Sequence, residues 1–87
     1  MELVNRIEQT ITEFIFQEMN IPMEDIDPDI NLGAFGMSSV TGTKLIGILE
    51  EQLSTPLNPT LIFEFPTIGE LAEEIGKLSS INNSQEA

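Results

Sequence analysis

The chain has 87 residues, with 15 Asp and Glu against 3 Lys and Arg, a net charge of −12 and a pI near 4.1. It contains neither Cys nor His, which removes disulfides, thiolate metal sites, most zinc chemistry, Ser-His-Asp and Cys-His nucleophiles and histidine acid–base work. The length suits one small domain, and the charge disfavours nucleic acids and anionic membranes while suiting basic protein surfaces.

Leu3, Val4, Ile7, Ile11, Phe14, Ile15 and Met19 recur at spacings of three and four. They predict a first helix whose polar face carries Glu2, Asn5, Glu8, Gln9, Thr12, Glu13 and Gln17. The helix is expected to end near Asn20, because Pro22 disfavours helical dihedrals at Ile21. The N-terminus shows no basic start followed by an apolar run, so no signal peptide is read and a cytoplasmic location is expected. No apolar run approaches the roughly 18 residues of a membrane span.

Residues 21–37 hold Pro22, Pro28, Gly33 and Gly36 and no sustained helical period. Ile21, Met23, Ile26, Ile30, Leu32 and Phe35 are nevertheless apolar. The segment is expected to be a long loop packed over the core.

A second helix is expected from Ser38, with Val40, Thr43, Leu45, Ile46, Leu49 and Leu53 as its buried stripe. Gly42 and Gly47 each cost about 1 kcal/mol against Ala in a helix interior, so tertiary packing must offset them. After Pro56, Asn58 and Pro59 comes the apolar run Leu61, Ile62, Phe63 and Phe65, closed by Pro66. It has room for one or two helical turns or a short strand. Thr67-Ile68-Gly69-Glu70 fits a capping box for a last helix, with Ile68, Leu71, Ala72, Ile75 and Leu78 as its buried face. The polar tail from Ser79 to Ala87 is expected to fray. The sum is an all-α fold: a small antiparallel four-helix bundle with three longer helices, a short third one and a long loop between the first two.

Two constellations bear on chemistry. Asp25, Asp27 and Asp29 open like an EF-hand loop, but Ile30 stands where the sixth-position Gly belongs and Gly36 where the twelfth-position Glu belongs. No metal site is therefore expected, although weak cation binding by these carboxylates is a separate reading. In Gly36-Met37-Ser38-Ser39-Val40, a serine pair follows a glycine-containing loop at a helix start. Free N–H groups and the positive end of the dipole suit a phosphate ester there. Serine is also a preferred N-cap, so position alone fits a cap as well as an attachment point.

The stretch Leu32 to Val40 resembles the segment around the modified serine of acyl carrier proteins, usually Gly-x-Asp-Ser-Leu. Leu49-Glu50-Glu51 is similar to the end of that family's second helix. Thr60-Leu61-Ile62-Phe63-Glu64-Phe65-Pro66-Thr67-Ile68, followed by Leu71-Ala72, resembles the third and fourth helices of polyketide-synthase carriers. The resemblance covers residues 1–78, read as the carrier domain, with 79–87 as a flexible tail. It implies that Ser39 receives 4′-phosphopantetheine from coenzyme A and that the arm's thiol holds acyl groups as thioesters. The chain would then be a non-catalytic carrier, which suits the missing Cys and His, because the reactive sulfur is imported.

The implied partners are a phosphopantetheinyl transferase and ketosynthase, acyltransferase or acyl ligase enzymes of polyketide or specialised fatty-acid and lipid synthesis. Met37, Val40, Thr41 and Lys44 are the expected recognition residues. The short chain beginning at Met1 reads as a free-standing carrier, while the sequence itself looks like a domain of a larger synthase; both readings stay open, and a monomer is expected. Two departures stand out. Ser38 replaces the family's usual Asp; it preserves the cap and removes a charge that in the family helps bind the transferase's metal. Thr41, Gly42, Lys44 and Gly47 replace the acidic helix face of fatty-acid carriers, which shifts recognition toward shape and apolar contact near Val40. A peptidyl carrier, or an unmodified acidic interaction module, is the competing reading.

Overall fold

In the computed structural model, which describes residues 2–84 and the side chains of 2–80, four helices follow one another. They are α1 (Glu2–Met19), α2 (Ser39–Leu53), α3 (Leu61–Glu64) and α4 (Ile68–Ser84). Two short 3-10 turns, Met23–Asp25 and Leu32–Phe35, interrupt the long loop. No strand occurs among the described residues; one isolated antiparallel bridge joins Asn31 to Thr67.

The apolar spacing of α1 becomes packing directly. Ile7, Ile11, Phe14 and Ile15 are buried, and Leu3, Val4 and Met19 pack against them. Asn20 then takes a left-handed φ of +57°, which asparagine tolerates better than most residues and which stops the helix. α4 is the principal neighbour of α1. A Cβ on Gly76 would lie 3.0 Å from Val4 Cγ2, and one on Gly69 would lie 4.0 Å from Glu8 Oε2, so the two helices run antiparallel. Ile68, Leu71, Ala72 and Ile75 complete the shared core with Leu45, Ile46 and Leu49 of α2. At about 25 cal/mol per Å² of apolar surface removed from water, this cluster is the main source of stability.

Local devices hold the ends. Thr67 caps α4 as expected: its Oγ1 accepts the Glu70 N–H at 3.1 Å and donates to the Glu70 carboxylate at 3.1 Å. Leu32 N–H donates to the Pro66 carbonyl at 2.7 Å and Gly69 N–H to the Pro28 carbonyl at 3.0 Å, which ties the long loop to the start of α4. Glu50 reaches back from α2, and its carboxylate accepts the Leu57 N–H at 2.8 Å.

Three expectations need correction. The buried stripe of α2 excludes Val40 and Thr43, which face solvent, and starts at Gly42 instead. In the loop, Ile26 and Leu32 are buried and Ile21 and Phe35 pack against the core, but Met23 and Ile30 are exposed. The last helix does not end at Leu78. It continues to Ser84, and Ser79 is buried, so the boundary drawn at residue 78 falls inside α4. Residues 85–87 of the expected tail lie outside the described residues.

Candidate functional site

The loop that precedes α2 turns on Gly36, whose φ of +90° belongs to the left-handed region where a side chain is strained. Gly36 N–H donates to the Gly33 carbonyl at 3.0 Å and Met37 N–H to the Leu32 carbonyl at 3.4 Å. The chain is then extended at Ser38 and enters α2 at Ser39.

The two serines play different parts. Ser38 is the N-cap: its Oγ accepts the Thr41 N–H at 3.3 Å and lies 3.2 Å from Thr41 Oγ1. The first helical bond then runs from Gly42 N–H to the Ser38 carbonyl at 2.8 Å. Ser39 is the first helical residue. Its side chain is exposed, and its hydroxyl makes no hydrogen bond to any described residue, while its carbonyl accepts from Thr43 Oγ1 at 2.8 Å. The N–H groups of Ser39 and Val40 likewise have no partner among the described residues. A free hydroxyl in the first turn of a 15-residue helix sits where the dipole and the unpaired N–H groups favour an anion.

Beside it lies a cleft of about 180 Å³, lined by Leu32, Met37, Ser38, Ile62, Phe63 and Pro66 together with Asn31 and Gly33. Its far wall is α3, held against α2 where Ile62 packs over Gly42. Of the expected recognition residues, Met37 lines the cleft, Val40 is 80% exposed, Thr41 is half-buried in the cap, and Lys44 forms an exposed ion pair with Glu18 of α1. Phe63, 66% exposed, was not among them. An unbroken apolar run such as Leu61-Ile62-Phe63 has no period that reveals which side chain faces out. Asp25, Asp27 and Asp29 are exposed and do not converge; Asp27 Oδ1 instead accepts the Asp29 N–H at 2.9 Å, a local turn.

Residues 9–75 match the phosphopantetheine attachment site family. The chain belongs to that family. Members carry a covalently attached phosphopantetheine, and carriers of this kind are generally non-catalytic.

Among curated proteins, this carrier is similar to polyketide synthase PksN of Bacillus subtilis, 33% identical over 76 residues. A 6-methylsalicylic acid synthase of Aspergillus niger is 28% identical over 76 residues. The matches cover 83% and 87% of this carrier but 1% and 4% of those synthases. Among solved structures, a free-standing peptidyl carrier protein from an Acinetobacter baumannii secondary metabolic pathway superposes with a TM-score of 0.80 at 30% identity. That match covers 88% of this chain and 96% of the other. The HMG-ACPI domain from the CurA module of Lyngbya majuscula has the same fold, with a TM-score of 0.77 at 21% identity, over 91% of this chain and 81% of that domain. The residues at the start of α2 fit the group: an exposed hydroxyl free of internal bonds, unpaired N–H groups beside it, and a cap supplied by a different side chain. No described helix of the carrier is long and apolar enough to cross a membrane.

Proposed function

We propose that Ser39 is the attachment residue and that the chain works as an acyl carrier in polyketide or related specialised lipid synthesis, in the cytoplasm and without catalysing a reaction itself. The observation that carries the assignment is the division of labour between the serines: Ser38 Oγ is occupied by the cap, and Ser39 Oγ is exposed and unbonded. In the loading step, Ser39 Oγ forms a bond to the β-phosphorus of coenzyme A. The anhydride bond breaks, adenosine 3′,5′-bisphosphate leaves, and the hydroxyl proton passes to a base on the transferase. The Ser39 and Val40 N–H groups, unpaired in the first turn of α2, would favour the charge of a phosphodiester on Ser39. When bound, the arm supplies a thiol that holds acyl groups as thioesters for ketosynthase, acyltransferase or acyl ligase partners. Ser39 then serves as the anchor, and Ser38 holds the helix start on which it is mounted.

Incubation with coenzyme A, magnesium and a phosphopantetheinyl transferase, read by intact mass, tests this. The wild type gains one arm and Ser39→Ala gains none. A Ser39→Ala protein that gains a full arm refutes the assignment.

A second reading, a peptidyl carrier, is favoured by the match to the Acinetobacter protein, whose whole length is nearly covered. Loading by an amino-acid-activating enzyme rather than by acyl donors distinguishes the two.

A further inference from the structure

A second, larger cleft of about 440 Å³ lies between the outward face of α1, the loop at Met23 and Pro28, and Ile68 of α4. We propose that this groove docks a basic amphipathic segment of a partner protein, one that sets Lys or Arg side chains around an apolar anchor. The inference does not rest on attachment at Ser39. The two clefts share no lining residue. Leu32 and Pro66, joined at 2.7 Å, line the first, whereas Pro28, which accepts from Gly69 N–H at 3.0 Å, lines the second. Met19 marks the serine end of α1, since a Cβ on Gly36 would lie 3.9 Å from its Cε. Glu13 and Asn5, which line the second cleft, precede Met19 by about 9 and 21 Å along the helix, at 1.5 Å per residue.

The lining is both charged and apolar. Glu8 and Glu13 face the groove with Thr12 from α1, and exposed Met23 faces it from the loop. Phe16 follows Glu13 by three residues and Thr12 by four, so it stands one turn along the same face. It is the exposed large apolar side chain of α1. Between Met23 and Pro28 the loop adds Glu24, Asp25 and Asp27, all exposed. The one ion pair of the described residues joins Lys44 to Glu18, so neither Glu8 nor Glu13 has a cationic partner. No three acids among the described residues gather to hold one metal ion. Separated carboxylates beside apolar side chains match separated cations on one peptide chain instead. A wholly apolar partner would desolvate Glu8 and Glu13 without neutralising them, which is unfavourable. A nucleic acid would bring phosphates against them. A basic segment neutralises both and gains further by covering Phe16 and Met23. Asn5 to Phe16 spans about 17 Å, enough for some three turns of an amphipathic helix laid along the groove.

The test titrates the isotope-labelled full chain with a synthetic Leu-Lys peptide of about 14 residues patterned as an amphipathic helix, at low salt, with amide shifts and Kd as readouts. Shifts are expected at residues 5–16, 23–28 and 68. Glu8→Gln with Glu13→Gln should raise Kd about tenfold, and Phe16→Ala about fivefold, the size of anchor contacts. Glu51→Gln with Glu73→Gln removes the same charge from exposed positions elsewhere and should stay within about twofold. Glu13 and Phe16 are exposed, so their single variants carry the test if the double variant melts early. Ser39→Ala should bind as the wild type does, which keeps this result separate from the attachment reading. Equal losses in the two double variants would show only diffuse attraction to an acidic chain and overturn the proposal. Shifts centred on residues 38–44 and 61–64, weakened binding by Ser39→Ala, or no saturable binding would overturn it as well.

Discussion

A Cβ added at Gly42 would lie 2.9 Å from Ile62 Cδ1 and 3.3 Å from Ile62 Cγ2, so α2 and α3 meet at a point with no space for a methyl group. Ile62 is buried and stiff at χ1, so its Cδ1 can turn aside but its Cγ2, also close, yields only at a cost. Gly47, in the same helix, would meet nothing within 4 Å. The two glycines therefore predict opposite signs. Gly47→Ala gains the ordinary helix propensity, about 1 kcal/mol. Gly42→Ala gains the same propensity but forces a repacking that costs about 1–3 kcal/mol, for a net loss. Denaturant midpoints of the two variants decide this; equal shifts of the same sign would show that α3 yields freely.

Ser38 is predicted to matter through its oxygen. Ser38→Ala should lose about 1 kcal/mol of stability, because the Thr41 N–H then has no acceptor at the cap. Ser38→Asp keeps the acceptor and adds a charge that the helix start favours, so its stability should equal or exceed that of the wild type. If the family's aspartate helps hold the transferase's metal, Ser38→Asp also loads faster. Thermal melts and loading rates read the two effects separately.

Glu50 and Glu51 are neighbours with different fates. Glu50 accepts the part-buried Leu57 N–H and so pins the connection from α2 to α3, whereas Glu51 is exposed. Glu50→Ala is predicted to cost about 1–3 kcal/mol, the range for a bond to a charged group, and Glu51→Ala to stay within about 0.5 kcal/mol. Chemical denaturation of the pair checks it; equal effects would mean that the Leu57 contact is dispensable.

The described residues hold one ion pair, Lys44 with Glu18, and both partners are largely exposed. Against a net charge of −12, electrostatics in the folded chain is mainly self-repulsion. Added sodium chloride up to about 0.5 M is therefore predicted to raise the melting temperature, as the Debye length shortens. A melting temperature that falls with salt would mean that attractive pairs dominate.

Much of this was readable from the residues. The α1 stripe, the Thr67 cap and the Ser38 start follow from spacing and capping chemistry, which act locally. The apolar run of the four-residue α3 carries no period, so spacing alone fits one or two helical turns as well as a short strand. The outward turn of Phe63 was not legible for the same reason: a single turn buries Leu61 and Ile62 and leaves the third side chain outside. Val40 fits the apolar spacing of α2, yet it sits in the first turn and is exposed, a facing that spacing alone does not reveal. Ser79 carries no hydrophobic signal, so its burial depends on tertiary packing that no local pattern encodes.

The most direct test of the central assignment is fragment-level mass spectrometry of the loaded protein, with the arm localised between the adjacent serines. The arm is predicted on Ser39, with Ser38 bare. An arm on Ser38, or spread over both serines, would contradict the division between a capping and an attachment serine on which the account rests.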